Sequence, residues 1–281
     1  MSFEKDYLIR AYSSDLEVRV FAATSRNLVE KARKLHNSSP IGTAALGRLM
    51  TALTMMGAME KNKETRLTLE IIGNGPLKCV IAAGDAKGNV RGYVGDNNIV
   101  LPPNAAGHLN VGGAIGAGHL TVIRDYGLKE PYISTINLHS GEIAEDLTYY
   151  FAESEQTPSV VGLGVLLSKE NRVLEAGGFI LQLMPGCSEE TISLIERNIQ
   201  GLPNVTKMLS NGNSPESIVE ILLKGKEVII GEKQQIQWHC NCSKAKTLRL
   251  MASLSESDLE EMQKEGKKPM PLKDFLNGIK H

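Results

Sequence analysis

The order of strand-like and helix-like segments most constrains the fold of this 281-residue chain. Apolar and polar residues alternate in "KDYLIRAY" and "LEVRVFAA", which predicts an N-terminal hairpin of half-buried strands. Helical patterns follow, then a run of short strands between Thr65 and Leu138, another helix, and a second, strongly apolar hairpin after Pro158. Strands grouped before and after helices favour an α+β fold over a wound array of βαβ units.

Polar residues mark where the first helices begin. Ser25 can cap a helix over "RNLVEKARKLH", and Ser39 stands before Pro40 at the start of a long apolar segment that is rich in methionine. We interpret this segment as a core helix, although thioether side chains also suit an adaptable ligand surface. Glu142 suits the positive N-terminal end of the helix that follows the strand run.

Beyond Pro185 the pattern changes to short amphipathic helices joined by polar breaks. Serine and glycine bracket "SEETISLIERNIQG" and "SPESIVEILLKG", as is typical of capped helices, and "NVTKMLS" between them predicts a further short helix. This texture indicates a helical linker and not a second compact core. We therefore predict a mixed strand and helix core domain over 1–180, a helical linker over 181–232 and a small C-terminal domain over 233–281.

Charge and hydropathy disfavour two classes of partner. The chain has 31 basic and 32 acidic side chains, a net charge of -1, and no dense Lys/Arg run, so we expect no nucleic-acid partner. The N-terminus "MSFEKDYLIR" is charged, and the longest apolar runs are shorter than a membrane span. We therefore expect a cytoplasmic protein without a membrane partner.

The four cysteines are too few for a disulfide scaffold, but two of them form a close pair. The pair is Cys240 and Cys242 in "WHCNCSKAK", beside His239. Tetrahedral zinc needs four ligands, and no later cysteine exists, so a mixed site would have to use His239 or His281. Cys187 lies near a predicted helix start, where the helix dipole can lower a thiol pKa. A cysteine-dependent enzyme around Cys187 is therefore one alternative function.

Several longer segments together resemble one protein family. They are, in chain order, "NGPLKCVIAAGDAKGNVRGYV", "HLTVIRDYGLKEPY", "SGEIAEDLTYYFAESEQTPSVVGLGVL", "AGGFILQLMPG" and "HCNCSKAK". The chain resembles the 33 kDa chaperonin family, the redox-regulated heat-shock holdases of bacteria, from about Tyr7 to Gly266. The resemblance implies an ATP-independent chaperone, not an enzyme, with an α+β core, a helical linker and a C-terminal zinc-binding redox domain. It also implies that unfolding client proteins are its partners and that it forms a homodimer when activated.

In that family, a C-x-C and a later C-x-x-C bind zinc as thiolates, and oxidation pairs each couple as a disulfide and releases the metal. Cys240 and Cys242 match the C-x-C, which implies a redox-active and metal-binding role for both. The C-x-x-C has no counterpart in "KKPMPLKDFLNGIKH", so we expect an incomplete redox domain with a truncated, frameshifted or diverged end.

Three consequences of this departure compete. The chain is a holdase without the zinc switch; or Cys240 and Cys242 form a disulfide, within the chain or between subunits; or zinc binds with His239, His281 or a partner subunit as substitute ligands. A degenerate, inactive remnant is a further alternative. We expect the client-binding surface to be spread over the core and the amphipathic linker helices, including Ile192, Ile195, Ile218 and Leu222.

Overall fold

The computed structural model describes residues 5–240 and 243–254, in a larger unit that extends to His239 and a smaller one that begins at Cys240. The helices are α1 (Arg26–His36), α2 (Pro40–Met59), α3 (Val111–Ile115), α4 (Ala144–Glu153), α5 (Glu189–Ile199), α6 (Val205–Ser210), α7 (Pro215–Leu222) and α8 (Lys244–Ala252). The strands are β1 (Tyr7–Ser13), β2 (Val18–Thr24), β3 (Arg66–Gly73), β4 (Cys79–Asp85), β5 (Asn89–Val94), β6 (Gly118–Asp125), β7 (Tyr132–Asn137), β8 (Ser159–Leu167), β9 (Val173–Leu183), β10 (Val228–Ile230), β11 (Gln234–Gln235) and β12 (Gln237–Trp238). The fold is a mixture of helix and sheet, as the sequence predicts.

Sheet A joins segments that are far apart in the sequence. Its strand order is β10-β1-β2-β9-β8, with β11 also beside β1. The predicted N-terminal hairpin is confirmed, since β1 and β2 pair antiparallel. The second predicted hairpin, β8 and β9, extends the sheet because β9 pairs with β2, and β10 closes the other edge against β1.

Sheet B is built from the predicted run of short strands, in the order β12-β5-β4-β3-β6-β7. Its pairs are antiparallel, except that β12 runs parallel to β5. Residues 231–236, which we call the bridging segment, lead from sheet A to sheet B. Ile236 in this segment is buried, and its backbone N–H donates to the carbonyl oxygen of Asp6 at 3.2 Å.

The long helix α2 packs against strands of both sheets and forms the centre of the main core. Ser39 accepts a hydrogen bond from the Gly42 N–H at 3.3 Å and Pro40 opens the helix, as predicted. Leu49 and Met56 are at most 1% exposed, which confirms the interpretation of the methionine-rich segment as a core helix. Neither α2 nor another helix among the described residues is long and apolar enough to cross a membrane.

Two helix-start predictions differ from the structure in detail. Ser25 does precede α1, but its hydroxyl hydrogen-bonds to that of Thr51 at 2.6 Å and caps no backbone N–H. Glu142 forms an ion pair with Arg48 at 2.7 Å, whereas Asp146 accepts the backbone N–H groups just before α4. In both cases the side chain that the local pattern assigned to the helix start, Ser25 or Glu142, instead binds a residue that is distant in the sequence.

A charged cluster around a buried arginine lies at the C-terminal end of α2. Arg124 of β6 is only 7% exposed and donates to Glu60 at 3.1 Å, to the Tyr150 hydroxyl at 2.9 Å, and to Glu155. The Tyr150 hydroxyl in turn donates to Glu155 at 2.9 Å. Breaking a buried pair leaves an uncompensated charge, so this cluster fixes α2, β6 and α4 to one another.

Candidate functional site

Helices α5, α6 and α7 form a layer on one face of sheet A, which we call the helical layer. Successive residues of a strand point to opposite faces, and the buried side chains of β1 divide accordingly. Leu8 belongs to the main core around α2, whereas Ile9 belongs to a second apolar cluster with Ile195, Ile218 and Leu222. The helical layer and α2 therefore cover opposite faces of sheet A.

Most of the predicted client-binding residues lie on the side of the helical layer that packs against sheet A. Ile195 is 2% exposed, Ile218 and Leu222 are fully buried, and Ile192 is half-buried. In this arrangement the three buried side chains contact their own chain. Their role toward other proteins therefore remains a prediction, and it requires the helical layer to separate from sheet A.

The helices of this layer are short. They contain 11, 6 and 8 residues, and isolated helices below about 12 to 15 residues are marginal in water. Each begins with a side-chain cap, from Ser188, Asn204 and Ser214. Close packing against sheet A supplies the remaining stability of these helices. Gly164 of β8 permits this packing, because a Cβ there would lie 2.7 Å from Thr206 Cγ2. The layer thus depends on its contact with the sheet.

A set of polar contacts, which we call the polar clamp, fastens the N-terminal end of this layer; its members are Asp15, Glu17, Ser188, Thr191 and Lys226. Glu17, just before β2, accepts hydrogen bonds from the backbone and hydroxyl of Ser188, from Thr191 and from Lys226. Lys226, which follows α7, also donates to Asp15 and Thr191. The turn between β1 and β2 therefore contacts both the start of α5 and the chain beyond α7.

The clamp keeps its carboxylates ionised. Hydrogen bonds from Thr191, Lys226 and Ser188 lower the pKa of Glu17 to about 2. Hydrogen bonds from Lys226 and Ser13 lower the pKa of Asp15 to about 2. Charged hydrogen bonds of this kind are stronger than neutral ones, so the clamp persists over the ordinary pH range.

A second polar contact joins α7 to the bridging segment. Glu216 accepts from the Tyr7 hydroxyl at 2.8 Å and pairs with Lys233 at 2.8 Å, while the Lys233 ammonium lies 4.5 Å from the centre of the Tyr7 ring. Although burial raises it, the bonds from Lys233 and Tyr7 hold the pKa of Glu216 at about 2. The helical layer is thus linked to the segment that leads toward the thiol pair.

The described chain before the thiol pair is anchored to the larger unit. Trp238 of β12 packs against the main core, and its ring makes an edge contact with that of His36, with 5.7 Å between centroids. The backbone N–H of His239 donates to the Val90 carbonyl at 2.9 Å, while its side chain is exposed. Cys240 is exposed and begins the smaller unit.

Cys242 and His281, two of the predicted metal ligands, lie outside the described residues. Within residues 5–240 and 243–254, no group of three His, Cys, Asp or Glu side chains is placed to hold a metal ion. The residues described here therefore do not form the donor set that zinc prefers, and we derive no step through a metal.

The environment of Cys187 does not favour a nucleophile. Ser188 caps α5, but the expected lowering of the Cys187 pKa is wrong, since burial and then the charge of Glu17 raise it. The thiol lies 3.8 Å from the Ser188 carbonyl, and within the described part of the chain no histidine hydrogen-bonds to it. An activated cysteine needs such a base or a depressed pKa, so the structure gives the enzyme alternative no support.

Sequence reasoning missed the polar clamp. Glu17 and Lys226 are 209 residues apart, and neither stands in a recognisable motif. The only local signal was the Ser188 cap, which predicts the start of α5 but not the carboxylate that binds there.

Comparison with known proteins decides the family. The model of the family described as Hsp33 protein matches residues 6–271. The chain belongs to the Hsp33 family. The resemblance noted in the sequence is thereby confirmed over nearly the whole chain.

Relatives in the Hsp33 family are similar over nearly their full length. The 33 kDa chaperonin of Clostridioides difficile (strain 630) is 49% identical over 265 residues, which cover 94% of this chain and 91% of the relative. The 33 kDa chaperonin of Agathobacter rectalis is 47% identical over 261 residues, with 93% and 91% covered. The crystal structure of the 33 kDa chaperonin (heat shock protein 33 homolog) from Thermotoga maritima superposes with a TM-score of 0.85 at 37% identity, covering 95% of this chain and 91% of that one.

Proposed function

We propose that this chain is an ATP-independent holdase chaperone of the cytoplasm, which binds unfolding proteins and prevents their aggregation. Membership of the Hsp33 family and the names of its relatives support a chaperone. The observation that carries the mechanism is the second apolar cluster, which lies between sheet A and a layer of short helices fastened at its ends by polar side chains. No catalytic step is part of this proposal.

Separation of the helical layer from sheet A creates the client-binding surface. It exposes Ile9, Val20 and Phe179 on the sheet, together with Ile195 and Ile218 on the helices. Apolar burial is non-directional and is worth about 25 cal/mol per Å². A surface of this kind therefore binds exposed apolar segments of many sequences, which is what capture of unfolding proteins requires.

The thiol pair begins two residues after Trp238 in the sequence, so chemistry at Cys240 and Cys242 bears on the anchor at Trp238. Because the chain has only these two thiols in that region, we propose a holdase that is active without a zinc switch. A disulfide between Cys240 and Cys242 adds a weaker thiol control, and the activated form is a homodimer.

An aggregation-suppression assay with a thermally unfolding client tests this proposal. The full chain is assayed after reduction and after oxidation with hydrogen peroxide, and zinc is measured on the same samples. We expect suppression by the reduced protein and only trace zinc. Activity that depends fully on oxidant contradicts a holdase without the switch, and near one zinc per chain indicates substitute ligands. Cys187→Ala should leave suppression unchanged, and absence of both activity and metal would identify a degenerate remnant.

A further inference from the structure

A groove of about 630 Å³ opens where the bridging segment passes β1, the loop before β3 and the turn between β4 and β5. Its volume lies in the range of about 300 to 1,000 Å³ that is typical of small-molecule sites. The side chains that define it are Arg10, Tyr12, Lys63, Lys87, Lys233 and Gln234. The groove belongs to the larger unit and lies apart from the face of sheet A that the helical layer covers.

The groove is strongly basic in a chain that is close to neutral. Four cationic side chains line it and Glu232 is the only acidic residue among the lining, whereas the whole chain has 31 basic and 32 acidic side chains. Clustered positive charge in a concave surface focuses its field and raises the local concentration of anions. The charge pattern therefore indicates an anionic ligand.

Two hydrogen-bond donors at the groove have no partner within the described part of the chain. Arg10 and Tyr12 are half-buried and lie two residues apart on β1, so both side chains point to the same face of the sheet. Neither the Arg10 guanidinium nor the Tyr12 hydroxyl makes a hydrogen bond or ion pair with the described residues. Gly231 lets the bridging segment pass close to β1 beside them, since a Cβ there would lie 3.2 Å from the Arg10 carbonyl oxygen.

The lysines of the groove are only loosely held. Lys87 pairs with Glu64, but the two side chains are 50% and 77% exposed. Lys233 pairs with Glu216 and is 64% exposed, and Lys63 lies 3.5 Å from the Gln234 side-chain oxygen. Exposed ion pairs contribute little to stability, so Lys63 and Lys87 can turn toward a multivalent anion at small cost, while Lys233 keeps its contact with Glu216.

We propose that this groove binds a short chain of phosphates, of the kind found in inorganic tripolyphosphate. Arg10 presents a planar fork that matches two phosphate oxygens, the lysines act as point charges, and the Tyr12 hydroxyl donates a further bond. Such a ligand contacts β1 of sheet A, the β4–β5 turn of sheet B and the bridging segment at once. Its binding stabilises the passage between the two sheets, and it does not depend on the holdase activity.

Isothermal titration calorimetry of the full chain with sodium tripolyphosphate tests the proposal. We expect one site per chain, with affinity that falls as salt rises, and a melting temperature that rises with tripolyphosphate concentration. The double substitution Arg10→Gln/Lys63→Gln should weaken binding about tenfold or more, since one hydrogen bond to a charged group is worth about that factor.

The matched control is Lys129→Gln/Lys169→Gln, which removes the same charge from exposed positions outside the groove. It should bind tripolyphosphate like the unaltered protein. Equal losses in both double variants would show a general charge effect, and unchanged binding in Arg10→Gln/Lys63→Gln would place the ligand elsewhere; either result overturns the proposal, as does an absence of binding at millimolar concentration.

Two further measurements identify the ligand and exclude misfolding. Adenosine triphosphate is titrated beside tripolyphosphate: equal affinity assigns recognition to the phosphate chain alone, and about tenfold tighter binding of the nucleotide assigns the natural source to a nucleotide. Because Arg10 has no side-chain partner among the described residues, Arg10→Gln should not lower the melting temperature without ligand. A clear drop would show that Arg10 is structural and would overturn its role as an unpartnered anion donor.

Discussion

Helix α2 and the helical layer are both packed on sheet A, but they are held in different ways. α2 is buried on all sides between two sheets, and Arg124, at the centre of the charged cluster at its C-terminal end, is also buried. The helical layer is buried on one side only, its helices are short, and its polar clamp is partly exposed.

We therefore expect α2 to stay packed under conditions in which the helical layer opens. Opening the main core would leave the buried Arg124 without its partners. Opening the helical layer exposes apolar surface, but the polar groups of the clamp, which are already partly exposed, can then be hydrated by water. Local opening free energies within one protein span a wide range, and one-sided layers belong to the low end. The comparison predicts which substitutions change global stability and which change client binding.

Equivalent truncations in the two regions should give the largest and most different effects. Leu49→Ala in α2 and Leu222→Ala in α7 each remove the same atoms from a fully buried site, with an expected loss of about 2–5 kcal/mol. Leu49→Ala should lower the free energy of global unfolding in urea. Leu222→Ala should speed amide hydrogen exchange selectively in α5, α6 and α7 and raise aggregation suppression by the reduced protein.

The exposed Glu220 of α7 provides the control for that pair, and Glu220→Ala should change neither exchange nor suppression. If Leu49→Ala and Leu222→Ala accelerate exchange equally in both regions, the two regions unfold as one and the contrast between them is wrong.

Acid should affect the two regions in opposite directions. The pKa of Asp6 in the core is raised, whereas the pKa values of the polar-clamp carboxylates are lowered. Burial raises the pKa of Asp6 to about 6, even though it accepts hydrogen bonds from the Leu28 N–H and the Asn27 side chain. Its unfolded value is near 3.8, so the folded state binds the proton more tightly between these values. Stability from this group is full below about pH 3.8 and is lost as pH rises through 6.

Lowering the pH from 7 to 5 should therefore stabilise the chain by about 1 kcal/mol through Asp6. Asp6→Asn should remove that gain, as measured by urea unfolding at the two pH values. The clamp carboxylates Glu17 and Asp15 act only at lower pH, because their stabilisation is lost as pH falls from about 4 through their folded pKa values near 2. If the Asp6→Asn variant is still stabilised between pH 7 and 5, the stabilisation comes from another group.

The smallest effect on global stability is expected from the clamp itself. Glu17→Gln keeps the shape of the side chain but removes the charge that attracts Lys226, so the N-terminal end of α5 should open more often. We expect little change in urea unfolding, faster exchange at the start of α5, and a modest rise in client binding. Glu170→Gln, an exposed site in the β8–β9 turn, is the matched control. Slower exchange in Glu17→Gln would contradict a fastening role.

Local pattern predicted the elements better than their partners. Alternation identified β1 and β2, and the Ser39, Ser188 and Ser214 caps marked helix starts that the structure confirms. The short helix α3 was missed because its sequence "VGGAI" is rich in glycine, which is typical of turns. The pairing of β10 with β1 and the polar clamp were also missed, since their members are about 200 residues apart and no periodicity relates them.

The topology of sheet A also determines how long β1 and β2 lack their partner strands during synthesis. During synthesis at about 5 to 20 residues per second, β10 follows β1 by roughly 10 to 40 s. For most of that interval the hairpin of β1 and β2 has neither β9 nor β10 beside it, and its face marked by Ile9 lacks α5, α6 and α7, which all follow β9 in the sequence. A nascent chain of this fold therefore carries, on the ribosome, the same kind of apolar surface that its finished form is proposed to bind in others.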